Sequence, residues 1–240
     1  MGDVRMNLEK LQALREQLPD VHFPIPEEEL LARYEALYTG AVSDVLRELA
    51  LTDQALPPSI HPLRDEMKVA GFAFTIRSVV DPTLKGEMET RVEMLEHIRP
   101  NTVCVWNANG DDDAAHWGEV MTATAKKRGC KGAVVDGGLR DTAQVLAQNF
   151  PVWYRYRSPN GTLSRCKITG YQVPVKIGKV IVRPGDLIFG DIDGVVVVPR
   201  ELAYDVLLRA EEIKAGERII REWVSQGMST SDIAKRGGYF

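Results

Sequence analysis

An apolar run, two glycines and an Arg-Asp pair follow one another in Gly132-Ala-Val-Val-Asp-Gly-Gly-Leu-Arg-Asp141, an order that commits the chain to a buried strand running into a helix. Residues 133–135 have the continuous apolar character of a strand covered on both faces. Gly137 and Gly138 are expected to turn the backbone tightly, and residues 142–149 form an amphipathic segment. Arg140 and Asp141 therefore fall at a strand-to-helix junction, where exposed N–H groups and the helix dipole favour an anion in open α/β folds. Two plainer readings stand beside a functional one. Asp141-Thr-Ala-Gln144 fits a helix capping box, and Arg140 is placed to pair with Asp136.

Upstream, His116-Trp117-Gly118-Glu119 introduces residues 120–128, a run of good helix formers with basic residues in its last turn and a stop at Gly129. The succession helix, stop, strand, turn allows Glu119 and Arg140 to converge across 20 intervening residues. Taken alone, Glu119 is accounted for by compensation of the helix dipole.

An acidic residue, twenty residues and then Arg-Asp, set in this glycine-rich strand, resembles the metal-dependent pyruvate aldolases acting on 4-hydroxy-4-methyl-2-oxoglutarate. These belong to the wider RraA-like superfamily, named for a regulator of ribonuclease activity that is not an aldolase. Ala41-Val-Ser-Asp-Val-Leu46, Ala70-Gly-Phe-Ala-Phe-Thr-Ile76, Pro151-Val152, Pro184-Gly185-Asp186 and Gly190-Asp-Ile-Asp-Gly-Val-Val-Val-Val-Pro199 resemble further family segments in the same order, so the likeness covers most of the chain.

The resemblance implies an α/β fold of the swivelling β/β/α (α/β/α barrel-like) kind, with N-terminal helices and a long C-terminal helix. It implies one domain over residues 1–240, with a helical extension at 1–50 and a helical segment at 200–240. Trimers or dimers of trimers, with active sites at subunit boundaries, are implied as well. In such a site Asp141 binds Mg²⁺ or Mn²⁺, Glu119 acts through coordinated water, and Glu217 of an adjacent subunit, or failing that Glu212, reaches the metal's waters. Gly118, Glu119, Val120 and Met121 line the substrate's carboxylate, and Arg140 and Glu119 are catalytic. Two positions depart from the aldolase pattern: Glu119 stands where the family has Asp, and Gln144 stands where an acid is common.

The chemistry is coherent on its own terms. A hard divalent cation takes a few carboxylate oxygens, keeps several waters and accepts substrate oxygens. A 4-hydroxy-2-oxo acid then needs an electron sink at its keto oxygen, which a Lewis acid supplies, and a base for its 4-hydroxyl, for which water acidified by the ion and oriented by Glu119 is the candidate. Arg140 suits the developing enolate or the carboxylate. Decarboxylation of oxaloacetate leaves the same enolate. Lys126 and Lys127, toward the far end of their helix, read as solvated charge rather than Schiff-base lysines. The alternatives are a non-catalytic regulator that binds a ribonuclease or another protein, and a lyase for a related oxo acid or sugar acid.

The remaining candidates are weaker. Asp111, Asp112 and Asp113 lack the alternating ligands of a calcium loop and read as a solvated loop at the pocket's edge, with His116 an exposed loop histidine. His22, His61 and His97 show no zinc-ligand spacing. No Walker A, dinucleotide-binding or nucleophile-elbow pattern is present. Residues 107–113 and Arg155 and Arg157 are expected to select the distal part of the substrate. A net charge of −4 without a basic tract disfavours nucleic acid. Apolar runs are short of a membrane span, and Cys104, Cys130 and Cys166 make an odd, widely spaced set, reading as reduced thiols of a cytoplasmic protein.

Helices are expected over 8–18, 27–37, 41–49 and 85–98, with a long amphipathic one over 201–226. Strands are expected from Val69 and over 103–107, 152–156, 176–182, 187–189 and 194–198, with 157–171 an exposed excursion.

Overall fold

The structure, a computed structural model, describes residues 7–10, 13 and 21–238. The helix expected over 8–18 lies for the most part outside the described residues. The chain then runs α1 (Glu27–Glu35), α2 (Thr39–Glu48), β1 (His61–Pro62), β2 (Val69–Val80), α3 (Glu87–His97), β3 (Thr102–Asn107), β4 (Ala115–Trp117), α4 (Glu119–Lys127), β5 (Gly132–Leu139) and α5 (Thr142–Ala147). It continues with β6 (Val152–Arg157), β7 (Cys166–Tyr171), β8 (Val175–Ile177), β9 (Val180–Val182), β10 (Leu187–Asp191), β11 (Gly194–Val198), a 3₁₀ turn (Arg200–Leu202), α6 (Ala203–Ser225) and α7 (Thr230–Lys235).

Nine strands form one mixed, nearly closed, barrel-like sheet in the order β1-β6-β5-β3-β2-β10-β11, with β4 beside β5 and β7 beside β2. The pairs β2–β3, β3–β5, β4–β5 and β5–β6 are parallel, and helices return the chain between them as parallel strands require. Val103, Val105, Val134 and Val135 are buried on both sides of the sheet, which accounts for unbroken apolar runs in place of alternation.

Two apolar cores result. One gathers Phe74, Trp106, Trp117, Val134 and Trp153 within the strands and the helices α3 to α5. The other lies between the sheet and the terminal helices: Leu30, Leu31 and Tyr34 of α1, Val42 and Val45 of α2, and Val206, Leu207 and Ala210 of α6 cover Phe72, Leu187, Phe189 and Val198. Arg33 of α1 donates to Glu211 of α6 in a forked pair, fixing the two helices in register. Among the described residues no helix is long and apolar enough to cross a membrane.

Several sequence expectations need correction. Gly137 and Gly138 do not turn the chain; they lie inside β5, where the register shifts between Val135 and Gly138. They are small because neighbours come close. A Cβ on Gly138 would sit 2.5 Å from the Ala114 carbonyl oxygen, and one on Gly137 would sit 2.7 Å from His116 Nδ1. The strand expected over 176–182 is a hairpin of β8 and β9, folded at Gly178 with φ of +59°. The excursion 157–171 contains β7, which pairs antiparallel with β2. Cys104 and Cys130, distant in sequence, bring their sulfurs to 3.7 Å as free thiols.

Candidate active site

The short strand β4 makes the site. It pairs with the end of β5, and the Trp117 carbonyl accepts from the Arg140 N–H at 3.0 Å, so the start of α4 is held against the Arg140-Asp141 junction. Gly118 permits this approach in ordinary extended backbone. A Cβ there would lie 2.8 Å from Asp141 Oδ2 and 3.2 Å from Arg140 Cγ. The Thr122 N–H closes the first turn on the Gly118 carbonyl, which leaves the amides of Glu119, Val120 and Met121 without an intrahelical acceptor.

Asp141 occupies the left-handed region, with φ of 52° and ψ of 36°, and makes no capping bond to α5. The capping-box reading therefore fails. A capping residue has extended backbone that aims its side chain at its own helix, whereas the left-handed turn aims this carboxylate across to α4. Its Oδ2 accepts from the Glu119 N–H at 3.4 Å and lies 3.4 Å from Arg140 Nε. Left-handed backbone costs an L-residue about 1–2 kcal/mol. Nor does Arg140 pair with Asp136, which instead faces Arg155 at 3.6 Å.

The resulting cleft, of about 70 Å³, is bounded by Gly118, Arg140 and Asp141 on one side and by Arg91, Met121 and Thr162 on the other. Arg140 lies against Gly161, where a Cβ would meet Nη1 at 2.7 Å. Arg91 comes from α3. It donates to Thr162 Oγ1 at 2.8 Å and pairs with the fully buried carboxylate of Glu87, which also accepts from the Ile168 N–H. The cleft thus gathers two guanidiniums, each beside a carboxylate, and the open start of a helix, whose amides favour an anionic group.

Glu119 is exposed at the edge of this cleft, with its carbonyl accepting from Gln148 Nε2. Gln144 is exposed on α5. Glu217 lies on α6 and pairs with Arg221 at 3.4 Å within the chain, and Glu212 pairs with Arg209. Residues 107–113 and Arg155 and Arg157 do not line the cleft. Arg91 and Thr162 stand there instead, and sequence reasoning missed both, because an arginine four residues after a glutamate reads as a surface helix pair. His116 is not an exposed loop residue but is 1% exposed beneath the cleft, and Asp111 is buried beside it while Asp112 and Asp113 are exposed.

The family model described as RraA-like, Aldolase/RraA, matches residues 39–197. A protein of Halalkalibacterium halodurans named "Putative 4-hydroxy-4-methyl-2-oxoglutarate aldolase" is 31% identical over 205 residues, covering 84% of this chain and 91% of that one. Among solved structures, one described as "Crystal structure of novel cellulases from microbes associated with the gut ecosystem" is 56% identical with a TM-score of 0.86, covering 89% of this chain and 96% of its own. RraAS2 of Streptomyces coelicolor, described as an unusual member of the RNase ES inhibitor RraA family, is 28% identical with a TM-score of 0.73, covering 83% and 99%. With the family model spanning most of the chain and relatives matched over nearly their full length, this protein belongs to the RraA-like family.

Proposed function

We propose that the protein is a divalent-metal-dependent lyase that releases pyruvate from a 4-hydroxy-2-oxo acid of the 4-hydroxy-4-methyl-2-oxoglutarate type and decarboxylates oxaloacetate in the same site. One observation carries the reading: the Asp141 carboxylate is held in left-handed backbone, turned from the helix it precedes, beside Arg140 and the open first turn of α4.

The residues fit a hard cation such as Mg²⁺ or Mn²⁺. Asp141 is about 40% exposed, and Arg140 Nε and the Glu119 N–H both stand 3.4 Å from its Oδ2, so its oxygens keep coordinating capacity. Solvent access suits an ion that retains waters. When bound, the ion supplies Lewis acidity at the substrate's keto oxygen. The amides of Val120 and Met121 receive the 2-oxo acid's carboxylate, where the helix dipole favours negative charge. Arg140 donates to the oxygen on which charge develops as the C3–C4 bond breaks or carbon dioxide departs. Glu119, at the cleft's edge, orients the water that takes the 4-hydroxyl proton. Arg91, held by Glu87 and Thr162, meets the distal carboxylate. Glu217 of an adjacent subunit in a trimer or pair of trimers would help to hold the ion through water.

Cleavage of cellulose, as named for the 56% identical structure, is a poorer fit to this cleft. Glycoside hydrolysis uses two carboxyl groups flanking one bond, one of them a protonated acid. Among the described residues lining the cleft Asp141 is the only acid, so the flanking pair is not formed there.

The test is pyruvate release from oxaloacetate and from 4-hydroxy-4-methyl-2-oxoglutarate with Mg²⁺ or Mn²⁺, with chelator, and with Asp141→Asn, alongside a cello-oligosaccharide assay. Metal-dependent pyruvate lost in the variant supports the lyase. Silence on both oxo acids from folded protein, or sugar release, overturns it, and silence throughout returns the protein-binding reading.

A further inference from the structure

We propose that Asp111, His116 and Cys166 form a second cation site, buried beneath the cleft and suited to a zinc-class transition metal. The site does not depend on the lyase reading and shares no residue with the Asp141 cluster.

Three separate segments converge here. Asp111 follows β3, His116 is the middle residue of β4 and Cys166 opens β7, yet one ligand atom from each lies within 4.8 Å of the other two. All three are buried, at 8%, 1% and 1% exposure. The second observation is independent of that distance. Among the described residues neither ring nitrogen of His116 has a hydrogen-bond partner, and Nε2 stands 3.8 Å from Asp111 Oδ2, too far to bond. An unmade hydrogen bond on a buried polar group costs about 1–3 kcal/mol, and native proteins rarely leave both nitrogens of an enclosed imidazole empty.

The chemistry favours a cation over a water molecule. Imidazole, thiolate and carboxylate together are a borderline-soft donor set, and three such ligands with a fourth position open are a known zinc pattern. Burial brings His116 down to about 4, so the imidazole is neutral with its lone pair available. Burial, followed by the negative charge and hydrogen bonding of Asp111 and the charges of Glu87 and Asp113, pushes the Cys166 thiol up to about 12. On binding, the Cys166 S–H bond breaks, the proton leaves to solvent and a sulfur–metal bond forms, with no change of oxidation state.

The supporting shell is in place. Asp111 Oδ2 accepts from the Ala114 N–H at 2.8 Å and the Tyr156 hydroxyl at 3.2 Å, which fixes the carboxylate as outer partners do in metal sites. Arg91, whose charge is felt at His116, is paired with Glu87. Bonds of about 2.0–2.3 Å put tetrahedral ligands roughly 3.3–3.8 Å apart, so the set closes by about an ångström onto a common centre. His116 also lines the cleft, which gives the ion a route in.

The experiment titrates chelator-stripped full-length protein with Co²⁺, followed by its sulfur-to-cobalt charge-transfer band and visible tetrahedral bands. Both bands, saturating with one tightly held Co²⁺ per chain that excess Mg²⁺ does not displace and Zn²⁺ does, are expected. Cys166→Ser should lose the charge-transfer band, and Asp111→Asn should weaken binding by about tenfold or more. Asp141→Asn and Cys130→Ser should leave the spectrum unchanged. No charge-transfer band in the wild-type protein overturns the site, as does a band that survives in a folded Cys166→Ser or disappears in Cys130→Ser. The wild-type spectrum and Asp111→Asn decide the matter if Cys166→Ser does not fold.

Discussion

The Asp141 carboxylate reaches the backbone N–H of Glu119, 22 residues earlier, at 3.4 Å, and leaves the helix that Asp141 itself precedes without a side-chain cap. A residue placed where capping is worth about 1 kcal/mol thus forgoes the cap and occupies strained backbone as well. Such a combination is retained where the carboxylate is needed elsewhere.

Replacing Asp141 should therefore separate stability from activity. Asp141→Asn is expected to lower kcat by at least about 10²-fold, the scale of losing one oriented charge from a reacting centre. Asp141→Gly should be as inactive, yet as stable as the wild type or more so by up to roughly 1 kcal/mol, since glycine relieves the left-handed strain. Urea denaturation together with pyruvate release measures both, and a strongly destabilised Asp141→Gly would contradict the strain argument.

Gly118→Ala tests the approach of the two helix starts. The backbone there is extended and accepts any residue, so the added methyl acts through the 2.8 Å and 3.2 Å contacts with Asp141 Oδ2 and Arg140 Cγ. A displacement of the reacting groups by about an ångström costs about 10²-fold in kcat/KM, and the loss should appear with little change in melting temperature.

Arg91 faces the cleft and neutralises Glu87, which is completely buried. Arg91→Met should destabilise by about 3–5 kcal/mol by stranding that carboxylate, and Glu87→Gln with Arg91→Met should recover most of the loss. In the double variant KM for oxaloacetate should rise by about tenfold or more while kcat changes less, the signature of lost binding away from the reacting bond. An unchanged KM would remove Arg91 from the substrate.

Asp186 is held by the N–H groups of Arg183 and Arg200, but burial outweighs them and raises its carboxyl to about 6. A group whose folded value exceeds its unfolded one binds more protons in the folded protein, so its contribution to stability is full below about 4 and is lost as pH rises through about 6. Asp186→Asn should remove this component. The difference in unfolding free energy between wild type and variant, measured from pH 4 to 7, should fall across that window by up to about 3 kcal/mol. A flat difference would show that Asp186 does not titrate with folding.

The α/β succession was legible because parallel strands covered on both faces leave unbroken valine and alanine runs, as in β3 and β5, and because helices such as α4 carry their stop residues. Glu119, Arg140 and Asp141 could be grouped because only one helix and one strand separate them. Gly137 and Gly138 misled because glycine serves both sharp turns and close packing, and composition does not tell which. The polar strand β7 borrows its order from β2, and β4 is too short to show a period. Asp111, His116 and Cys166 meet across gaps that no local pattern spans. The buried glutamate that turns Arg91 inward looks, in one dimension, like an ordinary helix pair.

The hydrogen bond between Arg91 and Thr162 has a consequence for how such a protein diversifies. The chemical wall, from Trp117 to Asp141, is anchored in the sheet, whereas the opposite wall is contributed by a surface helix and by the segment that precedes β7. Substitutions at Thr162 and Leu163 can then reshape what is admitted, while Asn160 and Gly161, which are tied to Ala115 and lie against Arg140, stay fixed with the reacting groups. Selectivity and reactivity are inherited on separate pieces of chain, and a lineage is free to trade one substrate for another while keeping its machinery whole.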